Sequence, residues 1–359
     1  SGHVTLSERT GAPIIFGPNA EPDFDCVVAK DNEEFQLGDV KIKVLHTPGH
    51  TMESSTFLLI DENGKDHAIF SGDTLFLGDV GRPDLAQKAA GMTQDELAGI
   101  LFDSLRSKIM TLPDDTIVYP GHGAGSACGK NMSSETVGSI GHEKANNYAL
   151  RADMTREEFI QEVTDGLMTP PAYFPMNVML NKKGYEDVEK VIETGKQALS
   201  PEAFEAAANE TGAVMLDVRH QDDFAKGHVP NSVFIGLDGD FAPWVGALIA
   251  DIKQPILLIA ENDRVEESII RLSRVGFDQV IGYLDGGFNS WKGKTEKGPT
   301  GKIITAEQLE SQLDSVFLLD VRNEDEFTEY QIPDSVNIPL DELFDEKTLE
   351  KIPKDKKVV

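Results

Sequence analysis

Three strand-like segments in the first third of the chain each end in a tight turn that carries a histidine or an aspartate. The segments and the residues that follow them are 40–45 with His50, 68–70 with Asp73, and 116–119 with His122. Each turn contains glycine, which lets backbones approach closely. Imidazole and carboxylate together form a ligand set that suits zinc or iron. The repeated arrangement predicts a metal site at the strand ends rather than three unrelated polar turns.

The sequences TPGHT at 47–51, SGDTLF at 71–76 and PGHG at 120–123 resemble the later ligand motifs of the metallo-β-lactamase superfamily. Two longer sequences, GDTLFLGDVGRPDL at 72–85 and PGHGAGSACGKN at 120–131, resemble bacterial persulfide dioxygenases that are fused to rhodanese domains. This resemblance implies an α/β protein, with an αββα sandwich followed by rhodanese-like modules.

The same resemblance implies an enzyme that oxidises thiol-bound sulfane sulfur to sulfite with O2 at a mononuclear non-haem Fe(II) centre. Such a centre uses two histidines and one carboxylate. His50 and Asp73 would supply two of these ligands, and the family motif His-x-His-x-Asp, expected just upstream of Ser1, would supply the other histidine. His122 would act beside the iron. In glyoxalase-II-like thioester hydrolases with two zinc ions the equivalent histidine binds metal, so both roles of His122 stay open.

Three residues near these motifs are candidate substrate contacts. Arg82 matches a family position that helps to bind the substrate, which makes it a candidate catalytic group as well, and a surface ion pair is its ordinary alternative. Cys128 and Lys130 follow in a glycine-rich segment whose turn would present backbone amides to an anionic group. Inert burial is the commoner fate of a single cysteine.

Local patterns predict the elements around the site. Hairpins are expected at 35–39 and at 61–64, where Asp-Glu-Asn-Gly gives a strong turn signal. Capping boxes at Thr93-x-x-Glu96 and Thr155-x-x-Glu158 begin the predicted helices 93–110 and 151–167. A further helix is expected at 134–150. The proline-rich segment 170–177 predicts a rigid extended linker.

The C-terminal half contains an internal repeat. Leu-Asp-Val-Arg at 216–219 returns at 319–322, and the same offset aligns several later positions. The repeat resembles the rhodanese fold, in which a loop cysteine carries sulfur. In the first copy that cysteine would fall near Ala260, where the sequence has Ala-Glu-Asn-Asp-Arg, so we predict an inactive module. Val359 aligns with Ile256, which places the corresponding loop of the second copy beyond Val359.

These features predict three domains: a metallo-β-lactamase-like catalytic domain at 1–195, an inactive rhodanese-like domain at 198–296 and an incomplete second one at 301–359. A noncatalytic sulfur-binding or docking scaffold is a third interpretation. The lack of a loop cysteine favours it, and the His50, Asp73 and His122 set argues against it.

Composition limits the possible partners. The chain has 33 basic and 62 acidic residues and a net charge of -29, which disfavours nucleic acid and anionic membranes. No apolar run approaches the roughly 18 residues of a membrane span. Two cysteines are too few for a disulfide scaffold, so a reducing, cytoplasmic setting is expected. The expected substrates are a low-molecular-weight thiol persulfide and O2, and the resemblance implies a homo-oligomer.

Overall fold

A computed structural model describes residues 2–124, 126, 128–130, 132–167, 173–291, 304–344 and 346–359. The chain forms two compact units, Ser1–Tyr185 and Glu186–Val359. Helix Val188–Gly195 belongs to the second unit because it packs against strand Val280–Leu284 and helix Val265–Ser273. The predicted junction between residues 296 and 301 lies outside the described residues.

The first unit contains short strands, a larger set of paired strands and outer helices. Its strands are β1 Ile15–Phe16, β2 Val27–Val28, β3 Glu34–Leu37, β4 Val40–His46, β5 Ser55–Ile60, β6 Asp66–Gly72, β7 Ile117–Pro120 and β8 Gly138–Ser139. Its helices are α1 His3–Thr10, α2 Gln87–Ala90, α3 Gln94–Ser104, α4 Ile140–Asn146, α5 Arg156–Thr164 and α6 Phe174–Lys183.

Among the described residues, a six-stranded sheet in the order β3-β4-β5-β6-β7-β8 carries the three site turns. The predicted hairpins are confirmed: β3 pairs antiparallel with β4, and β5 with β6. β6 and β7 are parallel neighbours, so their carboxyl ends meet at one edge of the sheet. β1 and β2 form a separate parallel pair.

Helices α3 and α5 pack together beside this sheet, and their apolar side chains share its core. Both predicted capping boxes are present, at Thr93 with Glu96 and at Thr155 with Glu158. Such caps satisfy N–H groups that a helix leaves unpaired. Fully buried members of this core come from strands and helices alike: Ile69, Val118, Leu101, Leu105 and Phe159.

Three predicted elements differ from the structure. The helix expected at 151–167 spans only Arg156–Thr164, because Thr155 caps its first turn. The helix expected at 134–150 begins only at Ile140, because Gly138 and Ser139 pair with β7 and the Ser139 side chain caps α4. The linker expected at 170–177 is helical from Phe174, where Pro175 stands in the first turn, a position that tolerates proline. Residues 170–172 lie outside the described part of the chain.

The second unit has short parallel strands that alternate with helices. Its strands are β9 Ala198–Leu199, β10 Val214–Asp217, β11 Val233–Phe234, β12 Ile256–Ile259, β13 Val280–Leu284, β14 Val316–Phe317, β15 Leu319–Asp320, β16 Val336–Asn337 and β17 Lys357–Val358. Its helices are α7 Val188–Gly195, α8 Pro201–Thr211, α9 Gln221–Lys226, α10 Phe241–Leu248, α11 Val265–Ser273, α12 Gly287–Trp291, α13 Ala306–Glu310, α14 Glu324–Glu329 and α15 Glu346–Leu349.

The described residues of this unit form a five-stranded parallel sheet in the order β11-β10-β12-β13-β9. The later copy of the repeat reproduces the pairing: β15 pairs with β16 as β10 pairs with β11, position for position. The predicted α/β class and the internal duplication are therefore confirmed. None of the described helices is both long and apolar enough to cross a membrane.

Candidate metal site at the strand ends

His50 is held by the turn that follows β4. Gly49 has a φ of 140°, and a side chain there would lie 2.4 Å from Leu101, so only glycine fits between the turn and α3. The Ser104 hydroxyl on the same helix donates to the Pro48 carbonyl at 2.8 Å. The turn is therefore fixed on α3, and the His50 side chain is buried beneath it.

The tautomer of His50 follows from its hydrogen bond. Its Nδ1 lies 2.9 Å from the Arg82 carbonyl oxygen, which only accepts, so Nδ1 carries the proton. Its Nε2 faces Asp73 Oδ2 at 3.3 Å. A neutral Nε2 and a carboxylate oxygen would repel at this distance unless a proton or a cation lies between them. A backbone carbonyl behind a ligating histidine is also the usual support of a metal site. The pair fits a bound metal.

Asp73 lies between two histidines. Its Oδ1 accepts a hydrogen bond from His122 Nδ1 at 2.8 Å, while Oδ2 faces His50. Burial disfavours the charged carboxylate, but the hydrogen bond from His122 and the proximity of His50 more than offset it, and the pKa of Asp73 falls well below its usual range. The bond to Asp73 raises the pKa of His122, although its partial burial opposes the shift. Asp73 is therefore an anion beside a proton-holding His122.

Glycine also packs the third turn against Asp73. Gly121 donates its backbone N–H to the Gly72 carbonyl at 2.9 Å. A side chain at Gly121 would lie 2.6 Å from Asp73 Oδ1. The ends of the neighbouring strands therefore approach closely, and the backbone at Gly121 packs directly against the Asp73 carboxylate.

Cys128 joins this site. Among the described residues, ligand atoms of His50, Asp73 and Cys128 lie within 4.8 Å of one another, and His122 is outside that set. The Cys128 side chain is buried, and burial together with the Asp73 charge raises its pKa to about 11. We predicted Cys128 as a substrate contact. The structure puts its thiol close enough to His50 and Asp73 for the three side chains to hold one metal ion.

The remaining predicted site residues have other partners. The Arg82 guanidinium forms a bidentate pair with Asp84, two bonds of 2.7 Å, in a buried position. The Lys130 ammonium binds the carbonyls of Glu162 and Asp165 at the end of α5. Arg82 therefore adjoins the site through its backbone, and the structure does not bring the Lys130 charge to it.

Sequence reasoning missed two carboxylates near the site. Asp84 stands two residues after Arg82, a spacing that could have suggested the pair. Asp79 is fully buried and accepts hydrogen bonds from residues far along the chain, for which the sequence has no local signal. His3 packs among Phe16, Phe24 and Tyr185.

The second unit has a polar cavity of about 650 Å³ at the carboxyl ends of β10, β12 and β13. Its lining includes Arg219, Lys226, Glu261 and Phe288. The chain contains cysteine only at Cys26 and Cys128, both in the first unit. This cavity therefore has no thiolate that could form a persulfide.

Two family profiles match the chain. The profile described as Metallo-beta-lactamase superfamily matches residues 2–122, and the profile described as Rhodanese-like domain matches residues 200–294 and again 305–359. The first match lies in the first compact unit and the other two in the second.

Several solved structures and curated proteins are similar to parts of this chain. A metallo-beta-lactamase structure from Staphylococcus aureus subsp. aureus COL is 29% identical, with a TM-score of 0.66, over 78% of this chain and 79% of that chain. ETHE1 from Myxococcus xanthus is 31% identical, with a TM-score of 0.41, over 51% of this chain and 70% of that one. The hydroxyacylglutathione hydrolase of Brucella anthropi is 38% identical over 34% of this chain and 42% of its own length. The chain spans less than half the length of the curated relatives it matches.

Proposed function

We propose that this chain, which joins a metallo-beta-lactamase domain to rhodanese-like domains, oxidises thiol-bound sulfane sulfur to sulfite with O2 at a single non-haem iron. The observation that carries the proposal is the cluster of His50, Asp73 and Cys128, whose ligand atoms lie within 4.8 Å of one another, while His122 contacts the cluster through its hydrogen bond to Asp73. One imidazole, one carboxylate and a neighbouring thiol suit a single metal that keeps positions open for substrate.

His50 and Asp73 would hold the metal. Iron held in this way would supply the binding and activation of O2. The Arg82 carbonyl keeps the His50 ring in the tautomer that presents Nε2, and the lowered pKa of Asp73 keeps its carboxylate ionised. The site is therefore organised for a divalent cation before one arrives.

His122 would accept and release protons during the reaction. Its raised pKa favours the protonated ring, its Nδ1 proton is held toward Asp73, and its side chain is 45% exposed, so it can exchange protons with solvent. The overall reaction needs such a group because it releases acid. One persulfide, one O2 and one water give one thiol, one sulfite dianion and two protons. The S–S bond breaks, the outer sulfur loses four electrons, and O2 gains them.

The substrate side of the site is assigned to Cys128 and to the Arg82–Asp84 pair. The Cys128 thiol is polarizable and protonated at neutral pH, and it suits contact with a sulfur substituent. Arg82 joins the Cys128 segment through its backbone N–H, and its guanidinium, now paired with Asp84, would be the contact for the thiol carrier. We propose a low-molecular-weight persulfide as the substrate and self-association of the chain, as the resemblance implies.

One observation favours a second candidate, a thioester hydrolase with two zinc ions. Asp73 offers one oxygen to each histidine, as a carboxylate that bridges two metals would. Relatives named hydroxyacylglutathione hydrolase match about a third of this chain. In this alternative His122 would bind the second metal.

Metal analysis of the natural full-length protein tests the proposal. We expect one iron per chain and O2 uptake with a low-molecular-weight persulfide, and no hydrolysis of a glutathione thioester. Two zinc ions per chain together with thioester hydrolysis would refute the proposal and support the hydrolase.

A further inference from the structure

A buried polar network lies beside the metal site, and the proposed chemistry does not use it. Its centre is Asp79, whose side chain is 0% exposed. Within the described part of the chain, the Asp79 carboxylate accepts hydrogen bonds from the Lys130 N–H at 2.5 Å, from the Tyr148 hydroxyl at 2.9 Å and from the Val80 N–H at 2.8 Å. A carboxylate removed from water needs such partners, and losing one leaves a buried donor unpaired.

Two of these bonds connect segments that are distant in sequence. Lys130 is two residues after Cys128, and Tyr148 belongs to the short helical turn Tyr148–Leu150, which is buried in the core of the unit. The pKa of Tyr148 is raised by burial and by the Asp79 charge, so its hydroxyl keeps its proton and remains a donor. Asp79 therefore ties the segment around Cys128 to the core.

A parallel connection continues to the metal site. The Arg82 N–H donates to the Cys128 carbonyl at 3.0 Å, and the Arg82 carbonyl accepts from His50 Nδ1 at 2.9 Å. Residues 79–82 thus hold the Cys128 segment at two points, the Asp79 carboxylate and the Arg82 amide. The same short segment orients the His50 ring.

We propose that Asp79 is a positioning residue that sets where the Cys128 thiol lies relative to His50 and Asp73. It contacts neither substrate nor metal. It acts through the Lys130 amide, which fixes the turn after Cys128. The inference rests on the metal site of the proposed function but not on the reaction assigned to it, because it concerns the geometry of this chain's own residues.

The test uses full-length protein that carries Cys26→Ser, which leaves Cys128 as the cysteine of residues 1–359. Peptide mass analysis confirms that the modification is on Cys128. We expect Asp79→Asn to raise the rate of Cys128 alkylation by iodoacetamide about tenfold or more, since the amide cannot accept from all three donors. The visible spectrum of bound Co²⁺ should also change, because the His50 and Cys128 positions are linked through Arg82.

Two variants separate positioning from general destabilisation. Glu143→Gln alters a carboxylate of the same unit that is 1% exposed and accepts hydrogen bonds from Gly78 and Asn147. Among the described residues the Lys130 N–H donates to Asp79 and not to Glu143. Tyr148→Phe keeps the Asp79 carboxylate and its bond to Lys130. Both variants should lower thermal stability while Cys128 alkylation and the Co²⁺ spectrum stay near those of the parent protein.

A Cys128 alkylation rate within about twofold of the parent rate in a folded Asp79→Asn protein would overturn the proposal. An equal increase of that rate in Glu143→Gln would overturn it as well. Either result would mean that the bond between Lys130 and Asp79 does not set the position of the thiol. If the parent protein itself failed to bind Co²⁺, the metal site of the proposed function would be refuted instead. The alkylation result would then still decide whether Asp79 positions Cys128.

Discussion

At the scale of single residues, the positions of protons decide what the site can bind. The Nδ1–H of His50 donates a hydrogen bond to the Arg82 carbonyl oxygen. The space between His50 Nε2 and Asp73 is then suited to a metal ion or to a second proton. Metal binding should therefore release a proton from metal-free protein whenever that second proton is present. Asp73 stays ionised over the whole neutral range because its pKa lies far below it.

Alanine substitutions separate ligands from supporting residues. His50→Ala or Asp73→Ala should abolish both iron binding and activity, because neither leaves a complete facial set. His122→Ala should retain iron and slow turnover about 10–100-fold, the usual effect of losing a supporting partner. Iron content by elemental analysis beside steady-state O2 uptake checks both. Complete metal loss in His122→Ala would make His122 a ligand.

The Cys128 thiol should react with a distinctive pH dependence. Burial and the Asp73 charge disfavour the thiolate and raise the pKa to about 11. In metal-free protein, iodoacetamide labelling of Cys128 should stay slow at neutral pH and increase only as pH approaches about 11. Asp73→Asn should shift this rise to lower pH because it removes a negative charge.

Peptide mass analysis that follows Cys128 and Cys26 separately measures this profile. Cys26 is partly exposed and serves as the internal comparison. A Cys128 profile that rises at the ordinary thiol pKa, unchanged by Asp73→Asn, would contradict the contact with Asp73.

The site residues that could be predicted are those whose turns repeat a local pattern. His50, Asp73 and His122 each follow a strand and a glycine turn, and the structure brings all three together. The long, flexible side chain of Lys130 could not be assigned, because its partners are carbonyls more than thirty residues away. The role of Asp79 could not be predicted for the same reason, because its partners Lys130 and Tyr148 are remote in sequence.

At the scale of elements, glycine turns let the strand ends converge. Gly121→Ala places a methyl group 2.6 Å from Asp73 Oδ1, whereas Gly123→Ala in the same turn meets nothing within 4 Å. Gly121→Ala should weaken Co²⁺ binding about tenfold or more by moving the carboxylate. Gly123→Ala should bind like the parent in the same titration. Equal affinities for both variants would mean that the close approach does not hold Asp73.

The repeat offers a matched pair of ion pairs. Asp217 with Arg219 and Asp320 with Arg322 make the same bonds, but the side-chain exposures are 0% and 10% in the first copy and 14% and 40% in the second. Asp217→Ala removes the carboxylate partner of a mostly buried arginine, which keeps its contacts with the Gly227 carbonyl and the Phe288 ring, and should cost about 3 kcal/mol of unfolding free energy, the low end of the range for a broken buried pair. Asp320→Ala should cost about 1 kcal/mol or less.

Amide hydrogen exchange in β10 and β15 measures the two losses separately, because each strand reports the opening of its own module. Equal losses would show that burial does not distinguish the two pairs.

Element boundaries were predictable where local signals are strong. The capping boxes of α3 and α5 and the Asn-Gly hairpin between β5 and β6 are encoded within a few residues. The start of α4 was not, because the pairing of Gly138 and Ser139 with β7 depends on residues about twenty positions earlier. The helix α6 was hidden by the prolines before it, although proline is compatible with a first helical turn.

At the scale of the whole molecule, a metallo-beta-lactamase domain and rhodanese-like domains occur on one chain, but the two cysteines are not divided between them. Both thiols of this sequence lie in the first unit, and the cavity of the second unit has none. We therefore expect the module at 200–294 to contribute structure or noncovalent binding rather than sulfur transfer. The proposed oxidation of a persulfide by O2 would take place in the first unit alone.

The ratio of sulfite formed to O2 consumed tests that claim most directly. Natural full-length protein loaded with iron is mixed with a low-molecular-weight thiol persulfide while an oxygen electrode and sulfite analysis follow the reaction. We predict equal amounts of sulfite and O2, with no turnover in Asp73→Ala. Absence of O2 uptake, together with hydrolysis of a glutathione thioester by the zinc-loaded protein, would contradict the account.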